Sequence, residues 1–539
     1  MIRGNIVDVL RREIFFGTVQ VENGRIQSIE RVKGTNDTYI LPGFVDAHVH
    51  VESSMLIPTE FARMAVVHGT VATVSDPHEI ANVLGAPSVQ YMIENGRQTP
   101  FKFYFGVPSC VPATDFETAG ARINAADVEE LLQHPEVRYL AEMMNYPGVL
   151  HGDPEVLAKI AAAQAAGKPI DGHAPGLRGN DARRYIEAGM STDHECYQID
   201  EALDKLRYGM KIIIREGSAA KNFAELIPLM ARHADQLMFG SDDKHPDDLI
   251  TGHINQLVAR SLHLGYDLFD VLQAACINPV KHYGLEVGLL QPGDPADFIL
   301  TNNLQDFNVQ ATYINGQLVA EKGKTLLPRV AASVVNHFEA TAKVPDDFRL
   351  IADTGQIRVI KAMDGAIVTE SFVTAAKIIN GSPVADLASD ILKITVVNRY
   401  ANTTPAVAFI QGFGLRTGAI ASCVGHDSHN IIAVGVDDAA ICRAVNAVIA
   451  HRGGISAADD QETKVLPLPV AGIMSQEDGY IIAEKYAEID TFVKKMLGSQ
   501  LSAPFMTLSF MALLVIPELK LSDQGLFDAK RFAFTPLFV

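Results

Sequence analysis

Apolar positions change their spacing several times along this chain. Up to about residue 40 they alternate with polar ones in short runs such as Gly17-Thr-Val-Gln-Val, followed by Glu22-Asn-Gly-Arg. A period of two ending in a turn dipeptide predicts a small β segment. From about 41 to 245, apolar or β-branched runs recur near Gly43, Thr70, Phe101, Val137, Lys168, Met190, Lys211 and Gln236. Between them lie stretches with helical spacing, such as Pro58-Thr-Glu-Phe-Ala-Arg-Met-Ala-Val-Val-His and Pro154-Glu-Val-Leu-Ala-Lys-Ile-Ala-Ala-Ala-Gln-Ala-Ala. Strands alternating with helices in this way predict an α/β fold, a (β/α)8 TIM-like barrel in preference to a doubly wound sheet.

The helical spacing runs on through Leu268-Phe-Asp-Val-Leu-Gln-Ala-Ala-Cys-Ile-Asn-Pro, and then Glu286 to Lys324 returns to short strands with turns at Pro292-Gly-Asp-Pro-Ala-Asp and Ile314-Asn-Gly-Gln. These late strands are expected to join the amino-terminal ones in a small β-sandwich built from both flanks of the barrel. Thr341-Ala-Lys-Val-Pro-Asp-Asp reads as a linker. The predicted organisation is therefore 1–40 for the first part of the small β domain, 41–285 for the barrel, 286–326 for the return strands, 327–349 for the linker, and 350–539 for a C-terminal α/β domain.

Composition narrows the class. A chain of 539 residues exceeds one ordinary core, in keeping with this division. Acids outnumber bases 64 to 45, for a formal net charge of -19, and such a surface repels phosphate backbones, so nucleic acid is not an expected partner. Asp8, Arg11, Arg12 and Glu13 interrupt the first apolar residues, which is no signal-peptide pattern, and the apolar stretch from Phe505 to Ile516 is too short to span a bilayer. A cytoplasmic protein with no membrane partner is expected, with a homodimer as the reasonable assembly for a large enzyme. The five cysteines are scattered and form no C-x-x-C pair. They read as reduced core residues, and the zinc deaminase pattern built on paired cysteines is missing.

The first barrel strand reads Leu41-Pro-Gly-Phe-Val-Asp-Ala-His48-Val-His50. A period of two puts both imidazoles on one face, where they suit a shared metal. Strand four ends in Tyr139-Leu-Ala-Glu142, strand five in Ile170-Asp-Gly-His173, strand six in Ser191-Thr-Asp-His194 and strand eight in Met238-Phe-Gly-Ser-Asp242-Asp243. Each has a bland explanation taken singly: a hydrogen-bonded core histidine, a carboxylate paired with arginine, a helix cap. Together, ligand-type residues at the same end of five strands call for metal. Six protein ligands, His48, His50, Glu142, His173, His194 and Asp242, exceed what one tetrahedral ion takes, so two divalent ions sharing a bridging carboxylate fit best. Manganese and iron(II) suit the mixed imidazole and carboxylate set, and zinc is compatible with it.

The Pro-Gly-Phe-Val-Asp-Ala-His-Val-His string, the later histidines, the strand-eight aspartate and Gly293-Asp-Pro-Ala-Asp-Phe-Ile-Leu resemble the amidohydrolase superfamily over residues 1 to about 325. Val51-Glu-Ser-Ser-Met, Ser75-Asp-Pro-His-Glu-Ile-Ala-Asn-Val-Leu-Gly and Gly425-His-Asp-Ser-His-Asn-Ile-Ile further resemble the bacterial adenine deaminase family, extending the likeness over nearly the whole chain. The resemblance implies a hydrolase acting on a cyclic amidine C–N bond, converting adenine to hypoxanthine and ammonia in purine salvage or adenine catabolism. It also implies Glu142 in the place where many binuclear relatives carry a carboxylated lysine.

Asp242 is the candidate for moving a proton from the attacking water towards the departing ammonia. By resemblance, Asp243 is a candidate purine contact. Asp76, His78 and Glu79, on the loop after strand two, are candidates for binding substrate, supporting the ligands or holding an extra metal, against a plain turn and helix start. Glu52 is a candidate supporting carboxylate or proton donor, and Ser218 a candidate pocket residue. His426, Asp427 and His429 are read first as a capped turn, with a role in closing the active site as the other reading. The alternatives left open are another amidohydrolase, acting on guanine, cytosine or a cyclic amide, and an inactive metal-binding assembly protein.

Overall fold

The computed structural model describes residues 1–351 and 355–539. Eight short parallel strands carry the first half of the chain: β1 (Phe44–Val49), β2 (Thr70–Ser75), β3 (Lys102–Phe105), β4 (Leu140–Met143), β5 (Ile170–Gly172), β6 (Met190–Asp193), β7 (Lys211–Arg215) and β8 (Leu237–Gly240). β1 to β3 form one hydrogen-bonded sheet and β4 to β8 another. Single parallel bridges join the two sheets on both sides, Val107 to Leu140 and Val49 to Asp242. β1, β2, β4 and β8 are buried along their whole length, as parallel strands covered on both faces must be.

Local sequence sets the boundaries. The helix Pro154–Ala165 starts where the Asp153 side chain accepts from the N–H groups of Glu155 and Val156, with proline at the first helical position. Gly43 leads into β1 because a Cβ there would meet a Val71 methyl at 2.3 Å, so only glycine lets β1 lie this close to β2.

Strands from both flanks of this unit pair in one continuous eight-stranded sheet. Tyr39–Pro42 is the seam, running parallel to Ile2–Asp8 and antiparallel to Phe298–Thr301. The flanks come together in one hydrogen-bonded sheet, because both sides of the seam strand are used.

The later residues build a second eight-stranded sheet, largely antiparallel, in which Gln356–Lys361 runs parallel to Ala406–Gln411. Helix Asp438–Ala450 packs on its inner strands. One apolar cluster continues from Val45 and Val74 in the parallel strands to Leu392 and Phe510 in this later unit, so the two share a core. Within the stretch expected to be a linker, Phe338 and Phe348 are buried beside the Asp438–Ala450 helix. Among the described residues no helix is long and apolar enough to cross a membrane.

A buried lysine tightens the later unit. Lys520 is fully buried, its Nζ donating to the carbonyls of Ile367 at 2.7 Å and Phe510 at 2.9 Å. Burial pushes its pKa down from 10.5 to about 7. Between those values the unfolded chain holds a proton that the folded chain lacks, so this group makes stability rise as pH climbs from about 7 towards 10.5. Lys520→Met is expected to flatten that rise, a change on the order of a few kcal/mol, read from urea denaturation at pH 7 and pH 9. An unchanged pH slope in the variant would contradict it.

Candidate metal centre

The C-terminal ends of β1, β4, β5, β6 and β8 bring one group of side chains together. Asp242 Oδ1 lies 3.2 Å from His48 Nε2 and 3.3 Å from His50 Nε2. Glu142 presents its two oxygens to different neighbours. Oε2 is 2.8 Å from both His173 Nδ1 and His194 Nε2, while Oε1 is 3.5 Å from His50 Nε2 and from His78 Nδ1. Burial alone would raise the Glu142 pKa, but the imidazoles of His173 and His194 outweigh it and hold the carboxylate well below its ordinary range.

Several features aim these atoms. His50 Nδ1 faces the Asp76 carbonyl at 3.1 Å, and since a carbonyl only accepts, Nδ1 carries the proton and the Nε2 lone pair points at Asp242 and Glu142. Asp242 is stitched between the two β1 histidines, its N–H donating to the His48 carbonyl and its own carbonyl accepting from His50 N–H. Its φ of 54° lies in the left-handed region, which aspartate tolerates better than most residues. Arg215, at the end of β7, pairs with Asp242 Oδ2 and, at 2.8 Å, with Glu195. Buried Lys205 links the ends of β5 and β6, donating to the Ala174 carbonyl at 2.7 Å and meeting Asp193 at 2.7 Å.

The donor set fits divalent metal. Nε2 of His48, His173 and His194 is buried without an aligned hydrogen-bond partner among the described residues, although His48 and His194 face carboxylate oxygens at 3.2 and 2.8 Å. Buried polar atoms left unsatisfied cost about 1–3 kcal/mol each. A cation accepting those lone pairs removes the penalty, and imidazole and carboxylate oxygen are its ordinary ligands. Ligand atoms of His48, His50 and Asp242, and those of His48, Glu142 and His194, fall in two overlapping clusters.

The cavity at this group is roofed by the later unit. His426 and Asp427 add polar atoms to its wall, and Ile367, Phe510 and Leu513, with Met144 just after β4, add an apolar face. Glu79 joins the two units: one carboxylate oxygen meets His426 Nδ1 and the other His429 Nε2.

Comparison with known proteins agrees in both halves. The amidohydrolase family model matches residues 39–319, and the adenine deaminase C-terminal domain matches residues 366–533. Adenine deaminase from Salinibacter ruber is 58% identical over 539 residues, covering 100% of this chain and 99% of its own. This chain belongs to the adenine deaminase family. Other family members are as fully aligned: adenine deaminase from Sulfurovum sp. is 57% identical, covering 99% of this chain and 98% of its own, and that from Methanosarcina mazei is 50% identical, covering 99% of each. Among solved structures, N-acetylglucosamine-6-phosphate deacetylase from Pasteurella multocida covers 59% of this chain and 98% of its own, at 13% identity and a TM-score of 0.47.

In this adenine deaminase family member the six residues expected as ligands lie together, and Asp243 lines the same cavity, its Oδ1 accepting from Ser53 Oγ at 2.5 Å. His78 and Glu79 line it too, while Asp76 stands behind, contacting His78 Nδ1 at 3.0 Å as well as His50. Glu52 does not line it. Its carboxylate accepts from the Ile80 N–H at 3.2 Å, tying the segment after β1 to the helix after β2, and burial raises its pKa to about 7. Ser218 turns away to donate to Asp248 at 2.6 Å, because the β7 loop curls over the segment after β8 and leaves its hydroxyl on the far side. His426 and Asp427 are brought to the cavity in addition to forming a turn. Sequence reading passed over Glu195 and Arg215, although both sit at the same strand ends that selected the others.

Proposed function

We propose that this chain hydrolyses adenine to hypoxanthine and ammonia, with Asp242 as the proton-transferring group. The observation that carries the reading is the placement of Asp242, held between His48, His50 and Arg215 at the wall of a cavity that has one apolar face and one polar face. The apolar face suits the flat purine. Attack at the carbon bearing the amino group breaks ring aromaticity, so the water must be deprotonated, a ring nitrogen must gain a proton and the leaving amine must be protonated. Asp242 Oδ1, 3.2 Å from His48 Nε2, faces the ligand cluster and would both share in holding metal and take the water's proton on its way to the amine, while Arg215 keeps Oδ2 fixed.

His48, His50, Glu142, His173, His194 and Asp242 would hold two divalent ions, with manganese or iron(II) suited to their imidazole and carboxylate donors and zinc compatible with them. When bound, such metal supplies Lewis-acid activation of water at neutral pH. The two Glu142 oxygens, turned towards different histidines, support a bridging role. The pair of bridges joining the parallel sheets at both sides supports a closed (β/α)8 barrel spanning about the expected 41–285, with 350–539 as the α/β unit that roofs it.

The test is turnover by the purified chain supplied with manganese or iron(II), followed by adenine absorbance and ammonia release. Adenine is expected to be consumed, with guanine, cytosine, adenosine and dihydroorotate turned over far more slowly. No turnover of adenine, or preference for one of the others, would remove this reading.

A further inference from the structure

His426 comes from the later unit, 347 residues beyond the glutamate that holds it. Its ring stacks on Phe510 at 5.1 Å between centroids and 20° between planes, and Nδ1 is engaged by Glu79. The second Glu79 oxygen lies against His429 Nε2, in a ring whose Nδ1 accepts from the Gly425 N–H at 3.3 Å. Ring plane and rotation are thus both set. What remains is Nε2, which is buried, has no hydrogen-bond partner among the described residues, and belongs to a ring lining the same cavity as Asp242. The nearest carboxylate oxygen to it is that of Asp243, at 3.9 Å, too far to satisfy it. A fully buried ring nitrogen held this rigidly and left unanswered points to a ligand group that is polar at that position.

We propose that His426 contacts the substrate directly, its Nε2 hydrogen-bonding a ring nitrogen of the purine, and that Glu79 is the residue that positions it. This rests on the adenine reading above and deepens it: the later unit supplies part of the purine recognition as well as the roof. Burial disfavours charge on the ring, but Glu79 and then Asp243 outweigh it and lift His426 to about 9, which makes Nε2 a donor at neutral pH. Adenine offers matching acceptors in its unprotonated ring nitrogens. A site built to satisfy such a nitrogen rejects an analogue that lacks it, because the buried donor is then left unpaired.

The experiment measures inhibition constants for 1-deaza-, 3-deaza- and 7-deazaadenine, each with one ring nitrogen replaced by CH, on metal-loaded wild type and on His426→Ala. The analogue lacking the contacted nitrogen is expected to bind both proteins equally. The two that keep it are expected to bind the variant at least about tenfold more weakly. Glu79→Ala should reproduce that pattern, and Glu79→Gln, which keeps an acceptor for Nδ1–H, should restore the discrimination in part. His426→Leu, which fills the space against Phe510, gives the same comparison if the alanine variant does not fold. Equal weakening of all three analogues, no weakening of any, or the loss of a metal equivalent on substituting His426 would overturn the proposal. Adenine turnover by the wild type tests the underlying reading separately.

Discussion

Asp242→Asn, assayed at saturating metal, is expected to lower kcat for adenine by about 10²–10⁴-fold while leaving the fold close to wild type. Asparagine matches aspartate in size and tolerates the left-handed backbone at this position, so the link between β8 and the two β1 histidines should survive. Its amide oxygen still accepts hydrogen bonds. What is lost is a carboxylate able to take a proton and return it, and two of its acidic neighbours are engaged elsewhere, Glu195 with Arg215 and Asp243 with Ser53. Steady-state kinetics with metal analysis on the same preparation separate the two effects. Near-normal turnover, or a loss that merely tracks missing metal, would contradict the proton-transfer role.

Glu142→Gln should fail in the opposite order, losing metal first and activity as a result. The wild-type carboxylate sits 2.8 Å from two imidazole nitrogens, and its other oxygen faces His50 and His78. An amide supplies one oxygen and no charge, and its NH2 group is turned towards a cation or a ligand that binds one. Metal affinity is expected to fall by at least about 10–100-fold, the range seen even for groups that only support ligands. Elemental analysis after dialysis against buffered free metal checks it. Two retained equivalents per chain would refute a bridging Glu142.

The gathering of side chains at the parallel strand ends was legible because its rules are local. Alternation placed His48 and His50 on one side of β1, and the convention that parallel strands present chemistry at their C-terminal ends picked out Glu142, His173, His194 and Asp242. The same convention applied without selection for ligand types also reaches Glu195 and Arg215, which stand at the ends of β6 and β7. The pairing of Glu79 with His426 and His429 was beyond reach, since nothing near either residue encodes a partner more than three hundred positions away. The seam was beyond reach for a related reason: strand periodicity shows which residues face inward but not which edges pair, and Tyr39–Pro42 bonds on both sides.

That seam strand has a consequence for how the protein is made. Residues 1–42 leave the ribosome long before Phe298–Thr301, the segment that pairs with Tyr39–Pro42, has been synthesised. At roughly 5–20 residues per second the delay is on the order of tens of seconds. Throughout it the nascent chain carries an uncapped strand margin, the kind of surface on which polypeptides stick to one another. The first module therefore matures only when its last strands arrive, and the time before they do is when a growing chain would most need a chaperone.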